Sequence, residues 1–133
     1  MLSWSPAIHA LGVAEMDATH EEFLRLANET ARANDDDFPH LFGMLLEHTQ
    51  RHFENEGRLM RACRFPASGE HEGEHRRVLG DLLHMRRALD EGRLRFVRLY
   101  VAQGLSDWFA NHLATMDAAL AACLKRAAAP PPG

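Results

Sequence analysis

Cysteine is scarce in this chain. Cys63 and Cys123 are its only two, too few for the disulfide framework of a small secreted domain, and neither belongs to a CxxC pair. No apolar run reaches the roughly 18 to 20 residues that a membrane-spanning helix needs. The first fifteen residues carry Trp4, Pro6, His9 and Glu15 instead of a basic start followed by an apolar stretch, so no secretory leader is expected and a cytoplasmic location is the default. Positive charge is not in excess. With 15 Lys and Arg against 19 Asp and Glu the formal net charge is −4, which argues against a nucleic-acid surface or an anionic membrane as the main partner. Runs of alternating β-branched residues are also missing, which excludes a sheet protein.

What the chain does have is helical periodicity and histidine. Its 133 residues suit a single domain. Apolar residues recur at spacings of three and four nearly everywhere, so the class is all-α. Four helices are expected. The first runs from about Asp17, its N-cap, to Ala33 and is broken by Asn34, Asp35, Asp36, Asp37 and Pro39. The second runs from about Phe38 to Arg64 and stops at Phe65-Pro66-Ala67-Ser68-Gly69; the third runs from about Glu70 to Glu91, with Gly92 marking the next turn; the fourth runs from about Arg93 to Ala127. Short connections imply antiparallel neighbours, hence an up-down-up-down four-helix bundle over residues 1–127. Residues 1 to 16 form an irregular N-terminal arm in this reading, and residues 128–133 a flexible tail.

Each helix carries an apolar stripe, and each stripe is interrupted by groups that belong in water. The first is Met16, His20, Phe23, Ala27; the second is Leu41, Leu45, His48, His52, Glu56, Leu59, Cys63; the third is His71, His75, Val78, Leu82, Leu89. The fourth is broader, with Val101, Gly104, Trp108, His112 and Thr115 beside Leu113, Met116, Asp117, Leu120 and Leu124. A buried imidazole or carboxylate without a partner costs several kcal/mol, so this many implies something that binds them. Topology agrees: His20, His71 and His75 come early in odd-numbered helices and His52, Glu56, His112 and Asp117 late in even-numbered ones, so all seven converge on one level of an antiparallel bundle. His52 with Glu56 and His71 with His75 are i, i+4 pairs on shared faces. His112 and Asp117 are five residues apart, about 140° around an α-helix, which spacing alone does not reconcile with one site.

Five imidazoles and two carboxylates exceed the needs of one ion and imply two. A nitrogen-rich set without thiolate suits iron, copper, nickel or zinc and disfavours magnesium or calcium, and redox chemistry favours iron. The stretches Asp17-Ala18-Thr19-His20, His52-Phe53-Glu54-Asn55-Glu56, Met60, Phe65-Pro66, His71-Glu72-Gly73-Glu74-His75 and Trp108-Phe109-Ala110-Asn111-His112, with Asp117 beyond them, carry a likeness from Trp4 to about Leu124. In these the chain resembles the bacterial hemerythrins, single-domain non-haem di-iron proteins that bind dioxygen. The resemblance implies that His71, His75 and His112 hold one iron and His20 and His52 the other, bridged by Glu56, Asp117 and an oxo or hydroxo group. It further implies dioxygen as the ligand, bound reversibly for storage, delivery or sensing without catalytic turnover, with nitric oxide as a further candidate ligand. The alternatives are a di-iron enzyme (peroxidase, oxidase or nitric oxide detoxification) and an iron- or oxygen-responsive docking module. Oxygen-activating ferritin-like sites use mostly carboxylates and two Glu-x-x-His pairs, whereas only Glu72 and His75 have that spacing here.

The remaining residues have plainer readings. His84 is expected to face solvent, His40 lies at the opposite end and His9 in the arm, while His48 either lines the pocket or sits at the core edge. Trp108, Phe109, Phe23, Phe53, Leu59, Met60, Leu113 and Met116 are expected as an apolar wall or as ordinary core. Arg86, Arg87, Arg93, Arg95 and Arg98 form a solvated face that partly neutralises Asp35, Asp36 and Asp37. Cys63 and Cys123 fall at one end together, where a redox bridge is conceivable.

Overall fold

A computed structural model describes residues 2–129. A short helix, α1 (Pro6–His9), precedes three long ones, α2 (Ala14–Arg32), α3 (Phe38–Ala62) and α4 (Ser68–Asp90). The last rod, residues 94–128, is continuous but not uniform: α5 (Leu94–Leu99), a π-helical turn π1 (Tyr100–Gly104), α6 (Leu105–His112), a second π-helical turn π2 (Leu113–Asp117) and α7 (Ala118–Ala128). No strand occurs among the described residues. α2 packs on α3, α3 on α4, α4 on α5, and π1 returns to α2, which closes a ring of four rods. The all-α bundle expected from periodicity is the observed fold.

The turns show why the rods reverse where they do. At the end of α4, Gly92 adopts a left-handed φ of 84°, its N–H bonds to Leu89 O at 3.0 Å and the Arg93 N–H to Ala88 O at 2.9 Å. That is a Schellman cap with glycine at the position that favours it. The end of α3 repeats the pattern with a bulkier residue. Arg64 takes φ 53°, its N–H reaches Arg61 O at 3.3 Å and Phe65 N–H reaches Met60 O at 2.9 Å. α3 begins on Phe38-Pro39, where proline in the first turn forfeits no helical hydrogen bond.

Three expectations need correction. The first helix starts at Ala14 with Val13 at the N-cap, so Asp17 is no cap. Asp17 instead sits in the first turn and reaches back, its carboxylate accepting the backbone N–H groups of Leu11 (2.7 Å) and Gly12 (3.1 Å). The arm is consequently ordered as well as short. It contains α1, it buries His9, whose Nδ1 accepts the Ser5 N–H at 2.9 Å and whose ring stacks on Trp4, and Leu2, Trp4 and Leu11 pack on the core. On the last rod Gly104 and Thr115 are exposed, not part of the buried stripe, and Leu105 is buried beside the expected Phe109 and Leu113. Each π turn inserts a residue and shifts the buried face by about 100°, which a pattern of 3.6 residues per turn does not register. The expected tail at 128–133 falls largely outside the described residues; Ala128 itself closes α7.

At the end away from the cluster the core is almost wholly apolar: Phe38, Phe42, Leu45, Leu82 and Val97 are fully buried, and the one fully buried polar side chain there among the described residues, Thr30, donates to the Leu26 carbonyl. There Arg98 meets Asp35 at 3.5 Å and donates to the carbonyls of Ala31 and Ala33 at the finish of α2. The neutralisation expected between the arginine and aspartate groups thus occurs at Arg98, which also caps a helix.

Candidate metal centre

The four rods bring all seven predicted side chains to one place. His20 comes from α2, His52 and Glu56 from α3, His71 and His75 from α4, and His112 and Asp117 from the last rod, and each is nearly or fully buried. Two overlapping groups form. Glu56, His71, His75, His112 and Asp117 offer ligand atoms within 4.8 Å of one another, and so do His20, His52 and Glu56. Metal-ligating ability is therefore concentrated where the topology argument puts it.

The two carboxylates divide their oxygens between the imidazoles. Glu56 Oε2 lies 3.0 Å from His20 Nε2 and 2.8 Å from His52 Nε2, while Oε1 lies 3.1 Å from His71 Nε2 and 3.3 Å from His75 Nε2. Asp117 does likewise, with Oδ2 3.2 Å from His20 and Oδ1 3.1 Å from His71 and 3.2 Å from His112. Each carboxylate faces a two-histidine set with one oxygen and a three-histidine set with the other.

Asp117 can take part because π2 occupies the chain between it and His112. A π turn closes i to i+5, so residues five apart return to one side of the rod. The 140° offset that an α-helix would impose is absent. π-helical turns are uncommon and concentrate at functional sites.

Electrostatics follows from this crowding. Burial opposes charge on His20, but the carboxylates of Asp117 and Glu56 outweigh it and push its pKa up to about 9; the same forces raise His71 to about 9. Burial would raise Glu56 and Asp117, yet their imidazole neighbours hold both well below the ordinary carboxylate range. His75 is lowered by burial, which its contact with Glu56 does not offset.

The donor set fits a pair of cations. All five imidazoles point Nε2 inward. The Nε2 atoms of His75 and His112 face each other at 3.2 Å, where at most one proton serves both. Both Asp117 oxygens are buried, and the angles at which the imidazoles approach them make no proper hydrogen bond. Lone pairs that converge without satisfying one another are what a metal site supplies.

Aromatic rings enclose the cluster. Phe53 lies parallel on His75 at 3.8 Å, Trp108 on His112 at 4.7 Å, Phe109 meets His20 edge-on at 5.8 Å and Phe23 meets His52 at 6.0 Å. Leu59 and Met60 are buried beneath, in a satellite cluster with Met16, Phe65 and Leu120. Met116 borders an apolar cavity of about 260 Å³ that touches His71. On the other flank a polar recess of about 390 Å³ is lined by Thr19, Glu22, His48, Arg51, His52 and Asn55. His48 lines this recess and is buried, 3.8 Å from Glu22, with its pKa lowered by burial and by His52.

His84 is exposed, as expected, and His40, on the first turn of α3 at the opposite end, is exposed as well. Glu72 is outside the ligand cluster. Cys63 and Cys123 are free thiols: Cys123 Sγ donates to the Cys63 carbonyl at 3.3 Å, and burial pushes the Cys63 thiol up to about 11. One contact had no signal in the sequence. The Trp108 Nε1–H donates to Glu74 Oε1 at 2.7 Å across 34 residues of chain.

Comparison with known proteins agrees with this architecture. Residues 11–124 match the family described as "Hemerythrin HHE cation binding domain". A curated bacteriohemerythrin of Ralstonia nicotianae is 37% identical over 117 residues, 88% of this chain and 84% of the relative. The crystal structure of a wild-type hemerythrin superposes with a TM-score of 0.81 at 19% identity, covering 93% of this chain and 98% of the other, and a mutant hemerythrin gives 0.80 at 18%, covering 93% and 97%. No helix among the described residues is long and apolar enough to cross a membrane. The extent of the family match and the identity to the curated relative establish that the chain belongs to the hemerythrin HHE cation-binding family.

Proposed function

We propose that this chain binds dioxygen reversibly at two non-haem iron ions, for storage, delivery or sensing and without catalytic turnover. In this reading His71, His75 and His112 would hold one ion and His20 and His52 the other, Glu56 and Asp117 would serve both, and a solvent-derived oxo or hydroxo group would complete the centre. The observation that carries it is the split of each carboxylate's oxygens between the two sets of histidines. Membership of the hemerythrin family supports the choice of iron and of dioxygen.

When bound, the iron pair supplies the electrons that dioxygen takes up and returns. The protein's part is to make that exchange reversible. Two carboxylates among five neutral imidazoles leave part of the metal charge uncompensated, and the shielded core strengthens whatever attraction they exert. Phe23, Phe53, Trp108 and Phe109 exclude water and protons that would drive the loss of reduced oxygen species. The His20/His52 side offers one imidazole fewer, so an ion held there would keep room for a small ligand. Nitric oxide, a diatomic of similar size, is expected to compete for that position. Carboxylate-rich oxygen-activating sites are built differently, and Glu72, the one residue with their Glu-x-x-His spacing, stands apart.

The test is spectroscopic. Protein loaded anaerobically with ferrous iron is expected to develop a stable charge-transfer band on exposure to oxygen and to lose it on deoxygenation, over repeated cycles. A band that decays rapidly while a co-substrate is consumed overturns the carrier reading in favour of an enzyme.

A further inference from the structure

At the His112 flank of the centre an indole lies on the imidazole. Metal-ligating histidines are ordinarily held by a hydrogen bond from the ring nitrogen that faces away from the metal. His112 Nδ1, like that of His20, His52 and His71, is buried and has no hydrogen-bond partner in the protein. Its ring is held by its faces and edges instead: Trp108 lies on it at 4.7 Å with 24° between planes, and His71 stands perpendicular to it at 4.7 Å.

A stacked indole fixes a neighbour only if it is fixed itself. Trp108 is half-buried, so packing restrains it incompletely. Its outer edge is tied by the 2.7 Å hydrogen bond from Nε1–H to Glu74 Oε1. Glu74 is braced by Arg77 at 3.3 Å, and Arg77 by Asp81 at 3.1 Å. The Glu74 carboxylate thus meets the Trp108 N–H on one side and the Arg77 guanidinium on the other, so the hydrogen bond is charge-assisted.

We infer that Glu74 is a positioning residue: through the Trp108 N–H it clamps the indole against His112 and so fixes the plane of that imidazole. The inference rests on the reading of His112 as a metal ligand. It also joins α4 to α6 on the outside of the site, so the rods that carry His75 and His112 are linked by a contact independent of the metal.

The experiment is a double-mutant cycle in the full chain with Glu74→Leu, Trp108→Phe and both, plus Glu74→Gln. Trp108→Phe keeps an aromatic ring over His112 and removes the N–H. Two readouts are taken: the rate at which excess chelator strips anaerobically loaded ferrous iron, and the indole N–H signals of the metal-free protein by ¹⁵N NMR. Each single variant is expected to lose metal about tenfold faster, the double variant no faster than either single one, and Glu74→Gln to keep most of the wild-type rate. In metal-free protein, Glu74→Leu shifts the Trp108 indole signal and leaves that of Trp4 in place. Multiplying effects in the double variant, or an unchanged stripping rate in Glu74→Leu, overturns the clamp, as does an unmoved Trp108 signal. Wild-type protein that takes up no iron contradicts the metal reading itself, so the two failures are told apart.

Discussion

The two halves of the bundle are packed on opposite principles. Toward the α2–α3 and α4–α5 turns, Phe38, Phe42, Leu45, Leu82 and Val97 fill the axis with hydrocarbon and are wholly sealed. Toward the α3–α4 turn, the same rods bury five imidazoles and two carboxylates, none more than 4% exposed. Apolar burial stabilises the fold at about 25 cal/mol per Å² removed from water, whereas unmatched buried ionisable groups oppose it. One half therefore carries the other, and the polar half reaches its full stability only when its lone pairs are occupied. Binding capacity and folding stability are separable by position along the same helices.

The sharpest way to break that separation is in the polar half. Glu56→Ala or Asp117→Ala removes a carboxylate that faces both histidine sets, and iron content is expected to fall below two per chain by metal analysis. Full occupancy with an unchanged optical spectrum would show the bridge to be wrongly assigned. The counterpart in the apolar half is Phe42→Ala, which should lower the free energy of unfolding by about 3–5 kcal/mol in chemical denaturation. Iron stoichiometry in the folded fraction should not change. Parallel losses of stability and stoichiometry in that variant would contradict the division.

Acidity sharpens the contrast further. His20 and His71, raised to about 9 by Asp117 and Glu56 against the pull of burial, carry protons at neutral pH in the metal-free protein. Entering metal must displace them. Iron loading at pH 7 should release protons into a weakly buffered medium, and affinity should rise with pH up to about 9, by up to about tenfold per unit for each proton displaced. Affinity that is flat between pH 6 and 9 would count against these imidazoles as ligands. The smallest effect is expected outside both halves. Arg64 holds a left-handed conformation at a Schellman cap, so Arg64→Gly should stabilise the protein by up to about 1 kcal/mol without altering metal uptake, checked by thermal unfolding.

Much of this architecture was legible in the sequence because it follows from one periodicity and one topological rule. The 3.6-residue repeat places His20, His52, His71 and His75 on core faces, and the antiparallel order of helices places them at one level. His112 and Asp117 were legible as residues but not as partners, since the π turn that aligns them leaves no trace in an apolar pattern. The exposure of Gly104 and Thr115 is hidden in the same way, since each lies in a π turn. Asp17 was misplaced because an aspartate before a helical pattern usually caps it, whereas here it captures the N–H groups of Leu11 and Gly12 and extends the helix three residues upstream. Glu74 was invisible: a hydrogen bond between side chains 34 positions apart depends on how α4 and α6 lie together.

The central claim, that seven side chains from four rods hold a pair of metal ions, is tested most directly by metal analysis of protein loaded anaerobically with ferrous iron and freed of excess. Two irons per chain, dropping in the Glu56→Ala and Asp117→Ala variants, is the predicted result. One iron or none in the folded wild-type chain would contradict it.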